Sequence, residues 1–224
     1  NHSPKHSYLM GVSDFAKIHQ SELPPELYDL DILDGSPPCS SFSMAGSREK
    51  KWGKASKFRE GQAVQVLDDL FFQFIDIAAK LNPKVVVAEN VKGLIAGNAR
   101  GYVKEIFAAF KKAGYGCQLF LLNAAAMGVP QRRERVFFVA NRLGKKLALK
   151  FEEKSISACE ALKDISPGRS PKLRDSLKKY WHDIPPGKSV SDVNESGSNF
   201  CRVKLNPRFP ANTQSADLPA MHWL

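Results

Sequence analysis

Cys39 follows two prolines, Pro37 and Pro38, directly after a short apolar run that closes on Asp34, Gly35 and Ser36. Proline fixes its own φ and restricts the residue before it, so this turn is stiff. A thiolate is strongly nucleophilic even when scarce at neutral pH, so a cysteine held on such a turn can attack an electron-poor carbon. A free cysteine is also a common packing residue, and Cys39 alone leaves both roles open. Glu89 comes directly after four apolar residues, 85–88. A carboxyl there can exchange a proton with a ligand, or simply satisfy a neighbouring helix end. Arg133 and Arg135 stand at alternate positions of the segment 131–135. On a continuous strand they share one face, where guanidinium groups can clamp a carboxylate, a phosphate or a base carbonyl oxygen. The alternative is a solvated charge run.

These residues need elements to hold them. Residues 31–36 (DILDGS) read as a buried strand ending in turn residues. Its carboxyl end would face the crevice where α/β sheets bind ligands. Residues 44–60 carry Arg48, Lys50, Lys51, Lys54, Lys57 and Arg59 against Glu49 and Glu60, and read as a mobile basic loop. A helix is predicted over 62–81, with Leu67, Leu70, Phe71, Phe74, Ala78 and Leu81 on one stripe. Asn82-Pro83 stops it. Residues 85–88 (VVVA) read as a central strand that delivers Glu89 to the same sheet edge as Cys39. A second helix carries Val103, Ile106, Phe107 and Phe110 and ends at Gly114 and Gly116. Strands are predicted at 117–122 and 135–140. The order argues for an α/β sheet, mostly parallel, with helices on both faces and a possible closing hairpin. After about residue 143 the chain is richer in Pro, Ser and Lys. It reads as a smaller, loop-rich region over 144–224, against a core over 1–143.

A chain of 224 residues can bury one sizeable core, and its formal net charge of +10 favours a polyanionic partner, nucleic acid first. The four cysteines form no CxxC pair, so neither zinc nor a disulfide framework is expected, and a reducing, cytoplasmic setting fits. No apolar run is long enough to span a membrane, and residues 1–10 lack the apolar centre of a secretory signal.

Taken together, the signals resemble the C5-cytosine-specific DNA methyltransferase family. Residues 34–43 (DGSPPCSSFS) resemble its PCxxFS catalytic loop. Glu89-Asn90-Val91 resembles its ENV motif, and residues 131–135 resemble QxRxR. Residues 208–213 (RFPANT) are similar to the segment that packs the target-recognition region. The four motifs stand in the family's order across nearly the whole chain.

The resemblance implies a Rossmann-like, S-adenosylmethionine-dependent fold, partial over 1–143, with a target-recognition region over 144–224. It implies that Cys39 adds to C6 of a cytosine flipped out of duplex DNA, and that C5 is then methylated. Glu89 would act at N3, and Asn90 would help position that edge of the base. Arg133 would hold the base carbonyl oxygen and steady Glu89. DNA contacts would come from Ser40, Ser43, Arg48, Lys51 and Lys54, with Arg135 a structural or phosphate contact. Lys172, Arg174, Lys178, Lys179, Tyr180 and Trp181 are candidates for sequence choice. The cofactor would meet Asp14, Phe15, Ser36, Pro38 and Leu70.

Departures from the pattern matter too. The chain lacks an FxGxG-type glycine loop, an acidic strand end for the ribose and the family's final segment. Weak cofactor binding by these 224 residues is therefore expected, with a further segment or second polypeptide supplying the rest. Ser40 stands where many members have Gln. Two rival readings follow: a tRNA cytosine-5 methyltransferase, although the Cys-Phe-Thr tripeptide of those relatives is absent, and a non-catalytic DNA-binding paralogue or subunit.

Overall fold

The computed structural model describes residues 3–37, 69–96, 100–164, 178–197 and 203–213. Two compact units divide the chain. One comprises Asn1–Leu121 with Arg135–Leu149, the other Leu122–Glu134 with Lys150–Leu224. The division falls near residue 149 rather than 143, and the segment before Arg135 goes with the second unit.

The first unit is built on a four-stranded sheet: β1 (Ile32–Gly35), β2 (Val85–Val91), β3 (Gly116–Asn123) and β5 (Glu134–Asn141), in the order β1-β2-β5-β3. β1 and β2 are parallel, with Gly35 beside Ala88. β5 is antiparallel to β2, so the sheet is mixed rather than mostly parallel. The crossover from β2 through a helix to β3 leaves a slot between them, and β5 fills it.

Alternation along β2 explains its two faces. Val86, Ala88 and Asn90 are buried on one, while Val85, Val87, Glu89 and Val91 are half-buried on the other. α2 (Leu70–Leu81) and α3 (Arg100–Lys112) both cover the Val86 face. Phe71, Phe74, Ile75 and Ala78 of α2 meet Tyr102, Ile106 and Phe110 of α3 there, over Val136, Phe138 and Ala140 of β5. Phe71 packs edge-on against Phe138 at 5.3 Å.

α2 ends as its sequence predicts. Asn82 takes a left-handed φ of 57°, its N–H donates to Ala78 O at 2.9 Å, and Pro83 prevents continuation. The predicted start at residue 62 lies outside the described residues. The Tyr115 hydroxyl, buried behind α3, donates to Pro83 O at 2.9 Å and ties the two helix ends together.

A short helix, α1 (Val12–Lys17), packs on α2. Ser13 Oγ donates to Gln73 Oε1 at 2.7 Å. Lys80 Nζ donates to the carbonyls of Ala16, at 3.1 Å, and Ile18, satisfying the end of α1. Ile77 and Leu81 of α2 bury against Leu23, Phe15 and Ile18 beneath it.

In the second unit, β4 (Gln131–Arg132) pairs in parallel with β6 (Ala211–Asn212). Thr213 Oγ1 donates to Arg132 O at 2.8 Å, and the Arg132 guanidinium donates to Asn212 Oδ1. α4 (Ala158–Leu162) is capped by Ser157 Oγ, and its first N–H groups donate to Phe209 O and Pro207 O at 3.0 Å. The segment resembling RFPANT thus stitches the unit together through its backbone. Ile184 and Val190 centre a small cluster with Tyr180, Trp181 and Val193, and Lys204 stands 4.8 Å over the Trp181 ring. Tyr180 and Trp181, expected as base-reading candidates, are packing residues of this cluster. No helix is long and apolar enough to cross a membrane among the described residues.

Candidate active site

The parallel register fixes the first part of the site. With Gly35 beside Ala88, the chain leaving β1 through Ser36 and Pro37 runs alongside Glu89 and Asn90. Asn90 is 4% exposed, and its amide Nδ2 donates to Pro37 O at 3.0 Å. Its Oδ1 accepts from Val91 N at 2.9 Å. Both ends of the amide are engaged, so Asn90 holds the Pro37 backbone in place beside β2.

Glu89 points to the opposite face of β2. Antiparallel pairing sets Arg135 opposite Val91 and Phe137 opposite Glu89, so residues 89, 91, 135 and 137 share one face. Arg135 Nε lies 2.8 Å from Glu89 Oε1, with the two side chains 20% and 28% exposed. Such a charge-assisted bond in partly desolvated surroundings orients the carboxylate.

Arg135, expected as a structural or phosphate contact, thus makes with Glu89 the ion pair that was expected of Arg133. The reason is an interruption of the strand. β4 stops at Arg132, and Arg133 turns its carbonyl to accept from Ala124 N at 3.0 Å before β5 begins. Alternation from 133 to 135 therefore does not apply, and Arg133 belongs to the second unit.

Beside the β1 exit lies a cavity of about 420 Å³. Phe15, Leu70, Phe74 and Ile77 form apolar walls, and Asp34, Ser36 and the Pro37 backbone region form its rim on β1. Tyr8 meets Phe15 edge-on at 5.1 Å. Gly35 is required here. A Cβ on it would stand 2.6 Å from Phe74 Cε2, so the ring packs this close to the strand only because no side chain intervenes.

Of the expected cofactor residues, Phe15, Ser36 and Leu70 line this cavity. Asp14 does not. It is exposed on α1 and stands 3.5 Å from Lys17, because on a short helix adjacent residues diverge by about 100° and only Phe15 turns inward. Asp34, Phe74 and Tyr8 are cavity residues that the sequence reading passed over. Asp34 sits two positions before Ser36 on one strand face, a period-two signal that was available. Cys39, Pro38, Ser40, Ser43, Arg48, Lys51 and Lys54 lie outside the described residues, as do Lys172 and Arg174.

A family model, C-5 cytosine-specific DNA methylase, matches residues 5–215. The chain belongs to this family. Type II methyltransferase M.FnuDI of Fusobacterium nucleatum is 33% identical over 199 residues, which cover 89% of this chain and 50% of that protein. Orphan methyltransferase M.SPRI of Bacillus phage SPR is 35% identical over 133 residues, 59% of this chain and 27% of the relative. The chain thus spans about half the length, or less, of these curated relatives. Among solved structures, a protein titled as a candidate DNA modification methyltransferase of an E. coli prophage superposes with a TM-score of 0.56 at 16% identity. It covers 86% of this chain and 67% of that one, a likeness of fold.

Proposed function

We propose that this chain carries the nucleophile and base-activating half of an enzyme that methylates C5 of a cytosine in duplex DNA. The observation that carries the reading is the Glu89 carboxylate held by Arg135 one strand away from the exit to Cys39. C5 of cytosine is a poor nucleophile. The Cys39 thiolate adds to C6, and the electron pair displaced from the C5–C6 double bond delocalises toward N3 and the carbonyl oxygen. Glu89 donates a proton or hydrogen bond at N3, where that charge collects, and Arg135 keeps its carboxyl pointed at the base. Asn90 anchors Pro37, which stands two residues before Cys39 in the sequence.

S-adenosylmethionine, when bound, supplies the methyl group that C5 takes. The cavity fits such a group: its apolar rings suit an adenine face, and Asp34 and Ser36 offer polar contacts at its rim. Phe15, Leu70 and Phe74 would hold it. Loss of the C5 proton then restores the C5–C6 double bond and expels Cys39. The target base has to leave the stack, at a cost of a few kcal/mol. The basic residues Arg48, Lys51 and Lys54, with Ser40 and Ser43 nearby, would contact the opened DNA. The family membership and the printed names of the methyltransferase relatives support the reading.

Transfer of labelled methyl groups to duplex DNA, with tRNA as a parallel substrate, tests this reading. Label in DNA that is lost in Glu89→Gln supports it; label in tRNA alone contradicts it.

A further inference from the structure

At the far end of β5 from Arg135, a second cleft opens where Asn141 pairs with Val85. Four residues of β2, roughly 13 Å, separate Val85 there from Glu89. Its volume is about 400 Å³, and Arg142, Lys145 and Lys146 line it together with the glycines at 114, 116 and 144. Among the described residues, no acidic side chain stands on its wall. Asp31, at the same end of the sheet, is taken by Lys84 at 2.6 Å. Lys111 and Lys112 end α3 nearby, at the residue before the Ala113 carbonyl that accepts from Arg142 Nη2 at 3.4 Å.

The cleft is built rather than incidental. Asn141, 5% exposed, accepts through Oδ1 from Leu143 N at 3.1 Å and Lys145 N at 3.2 Å, and its Nδ2 donates to Lys145 O at 2.9 Å. Gln118 then clamps Leu147 from both sides, accepting from its N–H at 2.8 Å and donating to its carbonyl at 3.0 Å. The loop between these two anchors is set before any ligand arrives. Arg142 is placed by stacking 4.5 Å over the Tyr115 ring. Gly144 takes a φ of 66°, which turns Lys145 and Lys146 onto the cleft. Three exposed cations on one wall give it a local positive potential that favours an anion.

We infer that this cleft binds phosphate groups of a nucleic-acid backbone, as a contact separate from the catalytic edge. It reads no bases: glycine backbone and flexible ammonium groups fit a phosphodiester and carry no base-specific pattern. The inference does not depend on Cys39 or Glu89. It holds or fails whatever the chemistry at the other end.

The test is amide-resolved NMR of the protein titrated with a short poly(dA)·poly(dT) duplex, which offers no cytosine, and separately with inorganic phosphate. The duplex is expected to shift the amides of Gly114, Gly144 and Lys146 at far lower concentration than phosphate does. The exposed double variant K145A/K146A should lose those shifts while keeping its thermal midpoint. The slope of log affinity against log salt should shrink by roughly 2 in it, near 0.9 for each lost phosphate contact. Shifts from phosphate with none from the duplex would overturn the nucleic-acid assignment, and so would an unchanged salt slope in the variant.

Discussion

Glu89 and Arg135 meet because an antiparallel register sets residue 135 across from residue 91. Removing the carboxyl proton donor in Glu89→Gln should lower turnover about 10²–10⁴-fold with little change in stability, as steady-state methyl transfer would measure. Arg135→Lys keeps the charge but not the planar fork, and should recover only a small part of the activity lost in Arg135→Ala. A second residue-scale consequence lies in Cys117, which the mechanism does not use. Burial pushes its thiol from an ordinary value of 9.0 up to about 12. Folding therefore favours the neutral thiol. The stability this contributes is intact below pH 9 and is lost as pH rises from 9 toward 12. Burial of Tyr115 acts in the same direction, partly opposed by Arg142. At pH 8, a thiol-alkylating reagent should label exposed Cys159 well before Cys117, as mass mapping of the modified peptides would record. Equal labelling rates would contradict the burial.

At the scale of elements, β1 and α2 form a wall of the apolar cavity through a contact that tolerates no side chain. Gly35→Ala should cost about 1–3 kcal/mol, because Phe74 sits in the core and has little room to retreat. Chemical denaturation would measure this, and Phe74→Leu in the same chain should restore part of it. A neutral Gly35→Ala would mean the ring does not lie on the strand. Much of this layer was legible from pattern: the helix end at Asn82-Pro83, the apolar run at 85–88 and the strand before Pro37 follow from period and turn chemistry, although that strand, expected to be buried, alternates between exposed and half-buried residues. The placement of β5 was not. Alternation is the same for a parallel and an antiparallel neighbour, so local sequence could not say that β5 enters between β2 and β3 in reverse. Nor could it locate the break at Arg133, since that depends on β4 pairing with β6, a partner 80 residues away in sequence. That break decides which arginine serves Glu89. The neighbouring residues Asp14 and Phe15 show the same limit: sequence adjacency does not say which of them a six-residue helix turns toward the cavity, and it is Phe15.

For the whole molecule, motif order identified the family, since four motifs in sequence constrain the answer more tightly than any single residue. The apolar cavity beside β1 lies in a sequence that carries no FxGxG-type glycine loop to cradle a cofactor's polar end. Titration calorimetry on this chain should therefore find S-adenosylmethionine binding weak, with Phe74→Ala weakening it further; tight binding would sink that expectation. The central claim concerns Cys39, and it is tested most directly by covalent trapping. The protein, expressed with whatever flanking coding sequence its gene contains, is incubated with S-adenosylmethionine and duplex DNA bearing 5-fluorocytosine. Fluorine at C5 cannot leave as a proton does, so the adduct should persist through denaturing electrophoresis. The account predicts a protein–DNA adduct whose linked peptide contains Cys39 and which disappears in Cys39→Ser. An adduct that survives that substitution, or none from the unaltered protein while it still methylates unmodified DNA, would contradict it.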